Sequence, residues 1–308
     1  MDHRSSAPNT ASSPQLVMFD AIMPPAMAVR AEESGAKRAS TDPVTLLALS
    51  VLGGAFIGFG AIFATTVGAG SFAIASADGT AAFSAALPYG IARLLTGLAF
   101  CLGLILIILG GAELFTSNTL IVMAWASGKV KTRSLLLTWT LVFAGNAFGA
   151  LATAALLFFT TQYTFGAGSV GLAALSTAHA KVSLGFVPAL SLAIMCNVLV
   201  CLAVWMCYGA RTTVDRVVAI IPPTTAFVAA GFEHSIANLY FIPIGLFIKA
   251  GAPDSFWASI GKTAADFPAL TWENFFANLL PVTIGNIIGG SIMVGAVYWF
   301  VYLRKRAA

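Results

Sequence analysis

A glutamate interrupts an apolar run at two places in this chain, 120 positions apart (231 minus 111), each time in the same local pattern. Gly111-Ala112-Glu113-Leu114-Phe115-Thr116-Ser117-Asn118 and Gly231-Phe232-Glu233-His234-Ser235-Ile236-Ala237-Asn238 both read Gly-x-Glu-x-x-x-x-Asn. Ionisable groups at membrane depth are costly, so they face a protein interior or a water-filled cavity and mark permeation paths and relays. Two matching interruptions, one per half, predict a transporter or channel built by duplication.

The bilayer enters through composition: 58% of residues are apolar, 9% are charged and the mean hydropathy is +0.89. A soluble domain is about a quarter charged, so an integral membrane protein is expected. The first forty or so residues contain no apolar core of signal-peptide type, which leaves the first membrane helix as its own insertion signal. Arg4, Arg30, Lys37 and Arg38 precede the first apolar span, and Lys129, Lys131 and Arg133 follow the second. Arg211 and Arg216 follow the fourth, Arg304, Lys305 and Arg306 close the chain, and only Arg93, Lys181, Lys249 and Lys262 lie elsewhere. This asymmetry predicts cytoplasmic termini, and no basic face with interleaved aromatics points to a nucleic-acid partner.

Residues 1–14, rich in Ser, Pro and Ala, read as a disordered tail. Residues 15–42 read as a cytoplasmic amphipathic segment, 43–303 as the transmembrane channel domain and 304–308 as a basic cytoplasmic tail. Apolar spans are expected at about 44–74, 86–127, 134–160, 183–209, 214–250 and 273–303. The second and fifth exceed one straight crossing and contain the polar blocks, so each is expected to be a broken helix whose elbow lines a cavity. The third and sixth share Gly-Asn-x-x-Gly, at Gly145-Asn146-Ala147-Phe148-Gly149 and Gly285-Asn286-Ile287-Ile288-Gly289, which permits close helix packing. Three spans per half, an odd number, place the second half upside down. The fold expected is therefore an all-α membrane protein of six helices in an inverted 3+3 repeat, with connections at about 161–182 and 251–272 on the outer side.

His234 is alone in the spans in titrating near neutral pH and is assigned to the pore. Glu233, its neighbour on a helix, points about 100° away, and with Glu113 is expected to tie the elbows down through backbone hydrogen bonds. Thr116 and Ser117 stand at the start of the shorter half-helix, where hydroxyls and free N–H groups suit an anion. Asn197 and Asn286 are buried amides expected to support the elbows, and Lys181 lies at a pore mouth where it concentrates anions. Cys101, Cys196, Cys201 and Cys207 lie in apolar stretches without CxxC, and read as packing residues rather than disulfides or metal ligands. The chain has no HExxH, GxSxG or P-loop. Neither an enzyme nor a cofactor is expected, and passive or proton-coupled movement of a small solute remains.

The two polar blocks, together with Asn197-Val198-Leu199-Val200-Cys201-Leu202-Ala203-Val204-Trp205 and Pro281-Val282-Thr283-Ile284-Gly285-Asn286-Ile287-Ile288-Gly289-Gly290, closely resemble the signature blocks of the formate/nitrite transporter family. The similarity runs from about Phe19 to Arg304 and is nearest the formate-channel branch, partly through Met23-Pro24-Pro25-Ala26-Met27-Ala28 and Ala31-Glu32-Glu33. The resemblance implies an aquaporin-like protomer with its own pore, a homopentamer, and a place in the bacterial cytoplasmic membrane. It implies an outer constriction of Phe100, Val200 and Phe227 and an inner one of Leu104 and Leu114. Phe115 is counted with the constriction residues and opens a flexible elbow, Phe115 to Asn118, that gates with the N-terminal segment. Thr116 and His234 meet the substrate between the rings, with Asn197 and Asn286 in support and Lys181 in the outer vestibule. The substrate implied is formate or a similar small anion (nitrite, hydrosulfide, acetate, lactate), passed in a pH-dependent way while the histidine supplies a proton or strong hydrogen bond. A water or glycerol channel would carry Asn-Pro-Ala elbows and a filter arginine, and an ammonium channel paired pore histidines; these features are missing from the elbows here.

Overall fold

At Asp42 and Pro43 the chain passes from a surface helix into a long apolar one. The Asp42 carboxylate accepts from the Val44 and Thr45 N–H groups at 3.0 and 3.3 Å, and Pro43 fills the first helical turn, where a missing N–H is no loss. The computed structural model describes residues 22–75 and 81–305. The expected tail at 1–14, the start of the amphipathic segment and the last three residues lie outside the described residues.

Helix α1 (Pro24–Ala39) buries Met27, Ala28, Ala31, Glu32 and Gly35 along one stripe and leads into α2 (Pro43–Gly68). Strands β1 (Ser71–Ala75) and β2 (Ala81–Ala86) then pair antiparallel, Ser71 opposite Ala86. The first span ends six residues short of position 74, and the residues after it form this short hairpin within an otherwise helical chain. Helix α3 (Tyr89–Gly110) stops at Gly111, whose φ of 77° lies in the left-handed region that favours glycine. The chain runs extended to Leu114 and restarts as α4 (Phe115–Asn118), a tight turn at Thr119–Ile121 and α5 (Val122–Ala126).

Helix α6 (Thr132–Phe159) leads to the shorter α7 (Ser169–Val182) and then α8 (Phe186–Gly209). Helix α9 (Thr213–Ala229) ends as α3 does, with Gly231 at φ 75°, His234 extended (φ −118°, ψ 115°), and α10 (Ser235–Gly251) beginning directly after it. Helix α11 (Asp254–Ile260) turns away from α10 by 113°. The last long run, α12 (Trp272–Ile287), loosens into a π-helical stretch over Ile288–Ala296 and ends as α13 (Val297–Tyr302). Among the described residues, five helical stretches, α2, α3, α6, α8 and the run from α12 to α13, are long and apolar enough to cross a membrane, and the bent pair α10 and α11 makes up to six.

Helix α2 packs on α6 and α3, while α8 packs on α12 and α9; α3 meets α9 and α6 meets α10 across the centre. Glycines allow this closeness. A Cβ on Gly149 would stand 2.0 Å from the Val51 carbonyl oxygen, and one on Gly289 would stand 2.3 Å from that of Ile194. Gly149→Val is accordingly expected to lower the thermal unfolding midpoint of the detergent-solubilised protein by several degrees, as overpacking costs about 1–3 kcal/mol. Gly90→Ala, where a Cβ meets nothing within 4 Å, should leave it unchanged.

Candidate permeation site

Each elbow leaves backbone groups without helical partners, and one asparagine serves each. At the first, Asn146 Nδ2 donates to the carbonyls of Glu113 (2.8 Å) and Ser50 (2.6 Å), and its Oδ1 accepts from Phe115 N–H at 2.8 Å. At the second, Asn286 Nδ2 donates to the carbonyls of Glu233 (3.0 Å) and Ala193 (2.9 Å), and its Oδ1 accepts from Ser235 N–H at 2.8 Å. A side-chain amide suits this place because it offers donors and acceptors together. Glu113 and Glu233 N–H groups donate in turn to the carbonyls of Leu49 (3.1 Å) and Leu192 (3.4 Å).

The glutamate side chains do something other than the expected backbone tethering. Glu113 Oε1 lies 3.4 Å from Arg38 Nε, and Arg38 Nη1 donates to Asn118 Oδ1 at 2.9 Å. Glu233 Oε1 lies 2.7 Å from Lys181 Nζ, while its Oε2 accepts from Asn238 Nδ2 at 2.6 Å. A carboxylate taken out of water needs a countercharge before it needs further amides, so each elbow draws in a cation from a helix outside the spans. Lys181 is thus no free vestibule charge; its side chain is 14% exposed and also sits 5.6 Å over the Phe241 ring.

Thr116 Oγ1 and His234 Nε2 meet at 3.1 Å, both fully enclosed. The other ring nitrogen, His234 Nδ1, accepts from Ala237 N–H at 3.1 Å and caps α10. An acceptor at Nδ1 puts the proton of a neutral ring on Nε2, the atom facing Thr116. His234 therefore presents an N–H donor at the centre, and adding a second proton at Nδ1 would set N–H against N–H and undo the cap.

Above this pair lies a cavity of about 520 Å³, bordered by Phe100, Phe227, Phe241, Lys181, Glu233 and His234 among others. Glu233 and His234 both reach it, contrary to the expected 100° divergence, because His234 is extended rather than helical. Phe227 faces His234 with ring centroids 6.0 Å apart and meets Phe100 edge-on at 5.8 Å. Leu104, Leu114 and Val200 are buried in the same apolar core as these rings, but do not border the cavity. Phe115 turns toward α6, packing edge-on to Phe143 at 5.1 Å, and the stretch from Phe115 to Asn118 is a helical turn rather than the elbow itself, which spans 111–114. Ser117 Oγ donates back to the Leu114 carbonyl at 2.9 Å and so stays apart from the central pair. Asn197 Nδ2 donates to the carbonyls of Thr116 (3.2 Å) and Asn286 (2.6 Å), joining the two elbows.

The family described as Formate/nitrite transporter matches residues 25–300 of this chain. The chain belongs to that family. As a member of the formate/nitrite transporter family it is a transport protein rather than an enzyme. It is 42% identical over 288 residues to the formate channel FocA of Escherichia coli K12, covering 93% of this chain and 96% of that one. It is 35% identical over 286 residues to FocA of Haemophilus influenzae, covering 92% and 96%. Its fold matches a solved pentameric formate channel with formate bound, at a TM-score of 0.76 and 41% identity over 85% of this chain and 98% of that one. A second solved member, an FNT family ion channel, matches at 0.70 and 26% identity, covering 89% and 98%.

The site residues that sequence reasoning missed are Arg38, Arg93 and Asn146. Asn146 was legible: its motif duplicates that of Asn286, yet only packing was read from it. Arg38 was counted among cytoplasmic charges, although it stands 143 positions before Lys181 (181 minus 38), the same interval that separates Ser50 from Ala193. No sequence signal joins Arg93 to the site; the fold alone brings it to the cavity wall.

Proposed function

We propose that this chain is a channel for formate and similar small monovalent anions (nitrite, hydrosulfide, acetate and lactate among the candidates), passing one anion path per protomer. The observation that carries the reading is the enclosed Thr116–His234 pair beneath a cavity bounded by Phe100 and Phe227. Family membership and the formate-bound relative support it. The protomer is six spans in an inverted, aquaporin-like repeat whose second and fifth spans are broken at Gly111 and Gly231, and it assembles as a homopentamer in the bacterial cytoplasmic membrane. Equivalent contacts support the repeat: α1 stands before α2 as α7 stands before α8, Arg38 to Glu113 matches Lys181 to Glu233, and Asn146 matches Asn286. One mate is unequal, since Gly54 packs on the Asn146 carbonyl where Asn197 hydrogen-bonds that of Asn286. Cytoplasmic termini follow from the basic residues flanking the spans.

In this channel the path runs from the cavity past Phe100, Phe227 and Val200 to the central pair, and onward past Leu104 and Leu114. A bare anion crossing apolar rings loses its water at a cost of several kcal/mol even after relaxation, about what an unpaired buried charge costs. His234 Nε2–H and the Thr116 hydroxyl replace part of that lost water. Because Nδ1 is engaged as a cap, His234 acts on the anion first as a hydrogen-bond donor. A proton that crosses with the solute comes from water on the acidic side, and the neutral acid then meets no charge barrier.

Proteoliposomes containing the purified protein are expected to pass formate, with lower flux of glycerol, and to change flux between neutral and acidic pH. His234→Phe removes the Nε2–H donor and should cut formate flux at neutral pH, where the anion depends on it most. A variant with wild-type flux at neutral pH would show that the ring has no such role, and preference for nitrite or hydrosulfide over formate would move the substrate assignment within the family.

A further inference from the structure

Resting on the anion-channel reading, we infer that Arg93 is the residue that captures anions in the vestibule, through a positive charge that no carboxylate among the described residues neutralises. Among the described residues, four ionisable side chains border the cavity: Arg93, Lys181, Glu233 and His234. Lys181 and Glu233 cancel each other at 2.7 Å, and His234 is held as the neutral tautomer by its bond from Ala237 N–H. Among the described residues the cavity therefore carries the charge of Arg93 alone.

Arg93 sits in the first turn of α3, at the wall of the cavity and half-buried. Its Nε donates to the Ala229 carbonyl at 3.0 Å and its Nη2 to that of Val228 at 2.5 Å. These carbonyls end α9, where the helix dipole is negative and a cation is favoured. They fix the guanidinium beside Gly231 without discharging it: a carbonyl is neutral, and among the described residues Arg93 joins no ion pair. A guanidinium has five N–H donors, and two are used here, leaving the Nη1 edge for a small anion. Hydroxyls of Ser176 and Thr177 stand on the same cavity wall without side-chain hydrogen bonds of their own. Low-dielectric walls focus the field of such a charge and raise the local anion concentration. The same residue pins the last turn of α9 to α3, so a purely structural role must be told apart from capture.

Ionic strength separates the two. Formate flux into proteoliposomes is measured at submillimolar sodium formate, in low salt and in potassium sulfate at an ionic strength of about 1 M, where the screening length falls to about 3 Å. Wild-type flux should drop on adding salt. Arg93→Gln should cut the low-salt flux roughly tenfold, at the low end of the range for electrostatic focusing, and should lose most of the salt dependence; Arg93→Lys should keep most of both. Lys181 and Glu233 remain untouched in these variants. An Arg93→Gln protein with wild-type salt dependence, or with a loss equal at both ionic strengths and not rescued by lysine, would overturn the inference while leaving the channel reading intact. Wild-type vesicles that pass no anion would overturn both.

Discussion

Lys181→Met should lower the stability of the folded protomer by about 3–5 kcal/mol, the range for removing one member of a buried ion pair. The carboxylate it leaves behind is 4% exposed and still accepts from the neutral Asn238 amide, but among the described residues it pairs with no other cation. Most of the loss is thus the cost of an uncompensated charge rather than the worth of the pair. The double variant Lys181→Met/Glu233→Gln removes that charge and should recover most of the stability, giving a coupling energy of the same order in a double-mutant cycle. Urea or thermal unfolding in detergent reads both. Should the single variant match wild type, Glu233 does not depend on Lys181 and the latch assigned to the second elbow is wrong.

Asn286→Leu is the more severe change. Leucine fits the volume but strands the Ser235 N–H and the Glu233 carbonyl, which both meet the Asn286 amide, whereas the Ala193 carbonyl keeps its place inside helix α8. Each stranded group costs about 1–3 kcal/mol, and the total approaches the 5–15 kcal/mol that holds a protein folded. Little or no monodisperse protein is expected on size-exclusion chromatography. Thr283→Val, one turn earlier on α12, removes a buried hydroxyl that has no hydrogen-bond partner and should behave as wild type. Recovery of stable Asn286→Leu protein would show that the elbow is held by packing alone.

Much of this architecture was legible in the sequence because a membrane imposes simple rules. Span positions follow from apolar length, and the breaks at Gly111 and Gly231 follow from glutamates that lipid does not tolerate. The pairing of those glutamates was not legible, since it depends on surface helices α1 and α7 folding back against the elbows, and no local pattern encodes that. The relation of His234 to Glu233 was misread for a different reason: a helical side-chain rotation was applied to a residue that lies just outside the helix. The β1–β2 hairpin was missed because Ser71-Phe72-Ala73-Ile74-Ala75 is as apolar as the helix it follows. The family resemblance supplied ring residues that pattern alone does not mark, and of these Phe100 and Phe227 border the cavity while Phe115 faces α6.

The bonds that close the elbows and those that cross the centre divide cleanly by chain order. Arg38 to Glu113 and Asn146 to Glu113 lie within the first half; Lys181 to Glu233 and Asn286 to Glu233 lie within the second. Thr116 to His234, Asn197 to Thr116 and Arg93 to Ala229 join one half to the other. During synthesis the ribosome delivers the first half with everything its own elbow requires, and units that leave first fold first. The polar surface at the centre exists only after the second half has been threaded and docked. A nascent chain thus holds its first half latched before the Thr116–His234 pair at the centre can form.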